Sequence, residues 1–152
     1  MNKLLKNKIS ARLTETGLKH DISNDIISFK MDMQGLVGKL TVAIYVFETY
    51  FVSYAILNSN VPPEKINTVA EYLHRANHGL PFGNFELDYS DGEVRFKLTT
   101  DCENWEKLTN TPIDRSVYVP CRMFEVYGDG IFKLMITDSK PSDLIAEADE
   151  KL

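Results

Sequence analysis

The residues with the clearest chemical reach are two histidines. His74 and His78 stand four apart, and Glu71 precedes His74 by three. On a helix that spacing puts two imidazoles and a carboxylate near one face, the beginning of a zinc-type ligand set. The set is incomplete. The HExxH order is absent, His20 is the only other histidine, and Cys102 or Cys121 would have to close the shell. Histidines at a helix C-terminus are otherwise ordinary surface groups. His74 and His78 therefore rank as weak metal candidates, and no cofactor is expected. Cys102 sits between Asp101 and Glu103, whose charges disfavour a thiolate. Cys121 falls on an apolar helix face. Neither thiol is placed as an activated nucleophile. No G-x-S-x-G elbow occurs, and the glycine pairs at 35/38, 79/83 and 128/130 suit turns rather than a phosphate cradle. The chain reads as non-catalytic.

These residues depend on the stretch from Val61 to Lys97, an amphipathic helix, a stop and a hairpin. Pro62 and Pro63 suit a first helical turn, where a missing N–H costs nothing. Ile66, Val69, Ala70, Leu73, Ala76 and Leu80 recur at three- and four-residue steps and share one face. Gly79, Leu80 and Pro81 mark a glycine-capped stop. Asp91-Gly92 then predicts a two-residue type I′ turn, because both its positions need positive φ. That turn would pair Phe85 with Leu98, Glu86 with Lys97, Leu87 with Phe96 and Asp88 with Arg95. One hairpin face is then apolar and the other carries two opposite-charge pairs.

Upstream, Leu5, Ile9 and Leu13 predict a helix over residues 3–17, followed by a polar connection, His20 to Asn24. Ile27, Phe29, Met31 and Met33 alternate with polar residues as a half-buried strand. Lys39–Phe47 and Tyr50–Leu57 are two further strands, apolar on both faces. Both their faces need cover, from the terminal helices or from a second subunit. Tyr45, Phe47, Tyr50, Phe51 and Tyr54 form the expected sticky patch. Trp105, alone in a polar segment, is either a packed hinge or a further binding anchor. Downstream, Thr111-Pro112 predicts the start of a long helix that Pro120 should kink. Gly128 to Thr137 reads as its continuation, with a short strand as the alternative. The single domain is assigned to residues 1–140, and the acidic residues 141–152 to a terminal helix or tail.

With 152 residues, 43% of them hydrophobic and 26% charged, the chain is an ordinary globular domain. Its net charge of −5 speaks against nucleic-acid binding. The first twenty residues are basic, with Lys3, Lys6, Lys8, Arg12 and Lys19 against Glu15. They read as a solvated helix face. Two cysteines make no disulfide framework, no apolar run is long enough to span a membrane, and the N-terminus lacks a secretory apolar core. A cytoplasmic location without membrane insertion is expected.

The order EYLHRANHGLPFGNFELDYSDGEVRFK resembles the YbjN-type family of bacterial sensory transduction regulators. Tyr72, Leu73, Asn77, Phe82, Gly83, Phe85, Leu87, Asp91, Gly92, Glu93 and Val94 stand in that family's helix–turn–hairpin pattern. The resemblance covers Val61 to Thr100 and, more loosely, Asp25 to Gly130. It implies a fold like that of type III secretion chaperones, usually dimeric, and transfers no catalytic residue. The expected architecture is α+β, in the order α-βββ-α-ββ-α: a twisted antiparallel sheet of about five strands with N-terminal, central and C-terminal helices. The expected function is a chaperone-like protein-binding or regulatory module, acting as a homodimer on protein partners. A small-molecule or metal sensor built around Glu71, His74 and His78 is the alternative.

Overall fold

The computed structural model describes all residues, 1–152. Six antiparallel strands form one open sheet: β1 Asp21–Ser23, β2 Ile26–Asp32, β3 Lys39–Val46, β4 Tyr50–Leu57, β5 Asn84–Leu87 and β6 Val94–Asp101. Their spatial order is β1-β2-β3-β4-β6-β5. Four helices accompany them: α1 Lys3–Glu15, α2 Ile66–Asn77, α3 Asn110–Ile136 and α4 Pro141–Asp149. The α+β class and the order of the expected elements stand, with one strand more than the sequence indicated.

That strand is β1, where a polar connection was expected. Its three residues are all exposed, so no hydrophobic alternation marks it. Asn24 and Asp25 both take positive φ, 47° and 67°, and close a two-residue hairpin onto β2. Asn and Asp tolerate that region through local side-chain hydrogen bonding.

The β5–β6 hairpin differs from expectation by two residues. Phe85 pairs with Phe96, Glu86 with Arg95 and Leu87 with Val94. A two-residue shift keeps each side chain on its face, so the apolar side survives. The loop widens because its polar groups bond elsewhere. Asp88 Oδ1 accepts from the Ser90 N–H, Asn60 Nδ2 donates to the Asp91 carbonyl, and the Val61 N–H donates to the Gly92 carbonyl. A Cβ on Gly92 would lie 2.2 Å from the Val61 carbonyl oxygen, so glycine permits this seam. The outer edge of β5 is closed by α2. Asn77 accepts from the Phe85 N–H at 2.7 Å and donates to its carbonyl at 3.0 Å, standing in for a neighbouring strand.

α3 runs unbroken through Gly128–Ile136, so the helical reading holds over the strand. It begins at Asn110 with Thr109 as its cap, two residues before the expected cap Thr111, and Pro112 falls in the first turn. Pro120 lacks the N–H that would bond the Ser116 carbonyl. Ser53 of β4 supplies the missing donor, its hydroxyl 2.6 Å from that carbonyl in a fully buried site. Gly128 and Gly130 serve close packing. A Cβ at Gly128 would lie 2.3 Å from Val37 Cγ2, and one at Gly130 would lie 2.1 Å from the Tyr72 hydroxyl. That hydroxyl donates to the Tyr127 carbonyl at 3.0 Å. The acidic residues 141–149 fold as α4, with Leu144 and Ala148 buried.

The core fills one side of the sheet only. Ile27, Phe29, Leu40, Val42, Ile44, Val46, Phe51, Ala55, Leu57, Phe85, Val94 and Phe96 join the buried residues of all four helices in one cluster. Every one of these strand residues lies on the same face. The helices therefore do not cover the second face of β3 and β4.

Candidate protein-binding face

The uncovered face is built by strand alternation. Ile26, Tyr45, Val52 and Thr99 form one row across β2, β3, β4 and β6. Ser28, Ala43, Tyr54 and Lys97 form the next, and Lys30, Thr41, Ile56 and Arg95 a third. The apolar groups concentrate on β3 and β4, the middle of the sheet. Polar and charged groups occupy its flanks. Ala43 and Val52 are shielded by their neighbours, yet neither belongs to the core cluster.

Four aromatic rings dominate the two middle strands and the turn that joins them. Tyr45 and Tyr54 meet edge to face, centroids 5.6 Å apart. At the β3–β4 turn, Phe47 stacks on Tyr50 at 4.5 Å with their planes 16° apart. Tyr45, Phe47 and Tyr50 remain 37%, 41% and 38% exposed, Tyr45 within β3 and the other two where the β3–β4 turn closes the sheet end. The Arg95 guanidinium lies 4.5 Å from the Tyr54 ring centroid. Arg95 also reaches Glu86 at 2.8 Å, and Lys97 binds the same carboxylate. Burial pushes Glu86 up, but the hydrogen bonds from Lys97 and Arg95 outweigh it, and the carboxyl lies below its ordinary range.

The strand side chains of this face include the bases Lys30, Lys39, Arg95 and Lys97 and the acids Asp21, Asp32, Glu86 and Asp101. Four bases thus meet four acids, on a chain whose net charge is −5. A neutral, aromatic-centred face lacks the surplus of positive charge that a phosphate backbone requires.

Tyr45, Phe47, Tyr50 and Tyr54 come together as expected. Phe51 does not join them. It points to the opposite side of β4 and is wholly buried in the core, so it is not available to a partner. Trp105 is half-buried against the core in a short turn, Trp105–Lys107, away from the aromatic face. Lys8 Nζ donates to its carbonyl at 3.3 Å.

His74 on α2 and His78, which follows its last residue, are exposed and border a cleft of about 630 Å³ beside α4. No three His, Cys, Asp or Glu side chains gather as a metal shell. Glu71 is bonded to Arg75 at 2.8 Å. Both thiols are buried and free. Burial, with the charge of Asp101 behind it, raises Cys102; burial and then Glu125 push Cys121 up to about 11.

One pairing escaped the sequence. Ser10 Oγ lies 2.7 Å from His20 Nε2, and His20 Nδ1 lies 2.9 Å from the Leu18 carbonyl. That carbonyl can only accept, so Nδ1 carries a proton, and in the neutral ring Nε2 then accepts from Ser10. This is the bond order of a nucleophile and its base. Ser10, however, sits inside α1, where backbone N–H groups are spent on the helix and leave no oxyanion donors beside it. The pair ties α1 to the segment leading into β1.

An open antiparallel sheet with every helix on one side defines the class: an α+β protein of YbjN-like fold. The crystal structure of YbjN from E. coli, a proposed transcription regulator, aligns with this chain at a TM-score of 0.61. Sequence identity is 11%, and the alignment covers 82% of this chain and 91% of that one. At that identity the likeness concerns the fold. No family model matches the chain, and no curated protein does. No helix is long and apolar enough to cross a membrane.

Proposed function

We propose that this chain is a non-catalytic regulatory module that binds an extended segment of another protein on its open sheet face, in the manner of a chaperone, and acts as a homodimer. One observation carries the reading: the side of β3 and β4 that the helices leave bare has an aromatic centre and a polar rim. That is the anatomy of a protein interface, and tyrosine is among the residues that dominate binding energy there. The phenolic rings offer large apolar area with a polar tip, at the cost of few rotatable bonds. The charge balance of the face favours a protein over nucleic acid. The regulator description of E. coli YbjN agrees with a regulatory role.

The test is affinity capture with the tagged chain and with a Tyr45→Ser/Phe47→Ser variant, alongside circular dichroism and light scattering. The proposal expects a stoichiometric partner that the variant loses while its fold and thermal midpoint persist. Equal capture by both chains, with the fold intact, would remove the sheet face from the account.

A further inference from the structure

The bare side of the sheet carries a diagonal path. Ala43 faces Tyr54 across β3 and β4, and Tyr45 faces Val52 two residues along. The two tyrosines hold one diagonal of that square, and their meeting rings make a ridge. Ala43 and Val52 hold the other diagonal, one on each side of the ridge. Both side chains are short, so each floors a hollow between taller neighbours. Diagonal neighbours of this kind lie about 7–8 Å apart.

Continued by one strand at either end, the line reaches a charge. Beyond Val52 it meets Asp101 of β6, which faces Tyr50; beyond Ala43 it meets Lys30 of β2, which faces Thr41. Both are exposed. The Asp101 carboxylate accepts only from the Glu103 N–H, at 3.1 Å, and the Lys30 ammonium donates only to the Thr41 hydroxyl, at 2.7 Å. Neither has an ionic partner, whereas Asp32 pairs with Lys39, and Glu86 with Arg95 and Lys97. Asp21 is unpaired too, but it lies on β1, outside the line.

The face offers a guest side chains only, because the backbone groups of β3 and β4 are spent on neighbouring strands. A β-extended guest laid across it would find no backbone carbonyl for its own N–H groups. Donors, by contrast, are at hand. Tyr72 and Tyr127 spend their hydroxyls inside the chain, while Tyr45, Tyr50 and Tyr54 give theirs to no protein group. A proline-rich guest matches that balance, since proline lacks the N–H and keeps the carbonyl. Its polyproline II helix has about 3 residues per turn and rises ~3.1 Å per residue, so positions i and i+3 share one side about 9 Å apart. That repeat is close to the spacing of the two hollows.

We propose that the guest of this face is a proline-rich segment in the polyproline II conformation, with prolines at i and i+3 seated over Ala43 and Val52 astride the Tyr45–Tyr54 ridge. Its acidic end lies at Lys30 and its basic end at Asp101. The phenolic hydroxyls donate to its carbonyls. The mode is recognition of a preformed, low-entropy helix by an aromatic surface. This inference rests on the proposed function, whose bare face it uses, and adds the chemistry of the partner.

The probe is a fluorescent peptide of eight prolines between a glutamate and a lysine, titrated onto the full chain. A control peptide keeps the end charges and replaces the prolines by alternating threonine and valine. The proline peptide should bind at least tenfold more tightly than the control. Ala43→Leu fills one hollow while adding apolar surface outside the core cluster. It should weaken binding at least tenfold with native circular dichroism. Lys30→Gln/Asp101→Asn should weaken it about three- to tenfold and remove most of its salt dependence. Unchanged or tighter binding by Ala43→Leu would overturn the proposal. Should that variant fail to fold, Tyr45→Ser, which lowers the ridge, replaces it, and undiminished binding would again overturn the proposal. A control that binds as well as the proline peptide would overturn the proline reading and keep the face as a protein-binding surface. Partner capture lost in Tyr45→Ser/Phe47→Ser, beside a proline peptide that never binds, would likewise overturn this inference alone. Dimers that Tyr45→Ser dissolves would assign the face to a second copy and overturn it.

Discussion

Replacing Ser53 by alanine should destabilise this chain through a single carbonyl on another element. The proline at position 120 deletes the helical bond to the Ser116 carbonyl, and its ring pushes against that same group. Ser53 captures the carbonyl at 2.6 Å, and both residues are fully buried. The alanine leaves a buried acceptor without a donor, worth about 1–3 kcal/mol. In a domain of this size each kcal/mol moves the thermal midpoint by about 2–4 °C, so a mid-range loss of ~2 kcal/mol lowers it by about 4–8 °C. A Pro120→Ala chain regains an N–H that can satisfy Ser116 along the helix. In that background Ser53→Ala should cost at least ~1 kcal/mol less. Urea unfolding of the two single variants and the double variant closes the cycle. Additivity within about 0.5 kcal/mol would refute the compensation.

Other consequences follow from the same packing. Gly130→Ala improves helix propensity by ~1 kcal/mol, yet the new Cβ would lie 2.1 Å from the Tyr72 hydroxyl. The net effect should be destabilisation of about 1–3 kcal/mol, partly relieved by Tyr72→Phe in chemical denaturation. Cys102 and Cys121 are buried with raised pKa values, Cys121 to about 11, so neither should react with a thiol reagent at pH 8 until the chain unfolds. Raised folded values also mean that their contribution is intact below the free-thiol value of ~8.5 and fades as pH climbs through the folded values. Rapid labelling under native conditions would contradict this placement. At the acid end, Arg12 holds Asp114 below its ordinary range, Lys6 does so for Asp25, and Ser90 for Asp88. A depressed carboxylate stabilises the fold above its unfolded value of ~3.9 and loses that effect as pH falls through the folded value. Stability should therefore drop below about pH 4, and Asp114→Asn should flatten the profile; an unchanged slope would discount the pair.

The parts of this fold legible in the sequence are those that repeat. Period-two alternation located β2, β3 and β4, and three- and four-residue steps located α1 and α2. β1 was hidden because a short, fully exposed edge strand has no apolar face to alternate. The hairpin loop misled because Asp91-Gly92 signals a tight turn locally, while Asn60 and Val61, thirty residues upstream, take its carbonyls. Gly128-Asp129-Gly130 resembles a stop until Val37 and Tyr72 are seen against the two glycines. The aromatic face was nearly readable. Tyr50, Val52, Tyr54 and Ile56 alternate onto one side, and the same period should have separated Phe51 from Tyr50. The Ser10–His20 contact and the cleft beside α4 exist only once distant elements meet.

The central claim is that a protein partner covers the bare side of the sheet. Hydroxyl-radical footprinting of the captured complex against the isolated chain tests it directly. Tyr45, Phe47, Tyr50 and Tyr54 should lose reactivity in the complex. Tyr89 and Tyr118, 60% and 66% exposed outside this face, supply internal controls and should keep theirs. A complex in which the four face rings stay as reactive as in the isolated chain would contradict the account.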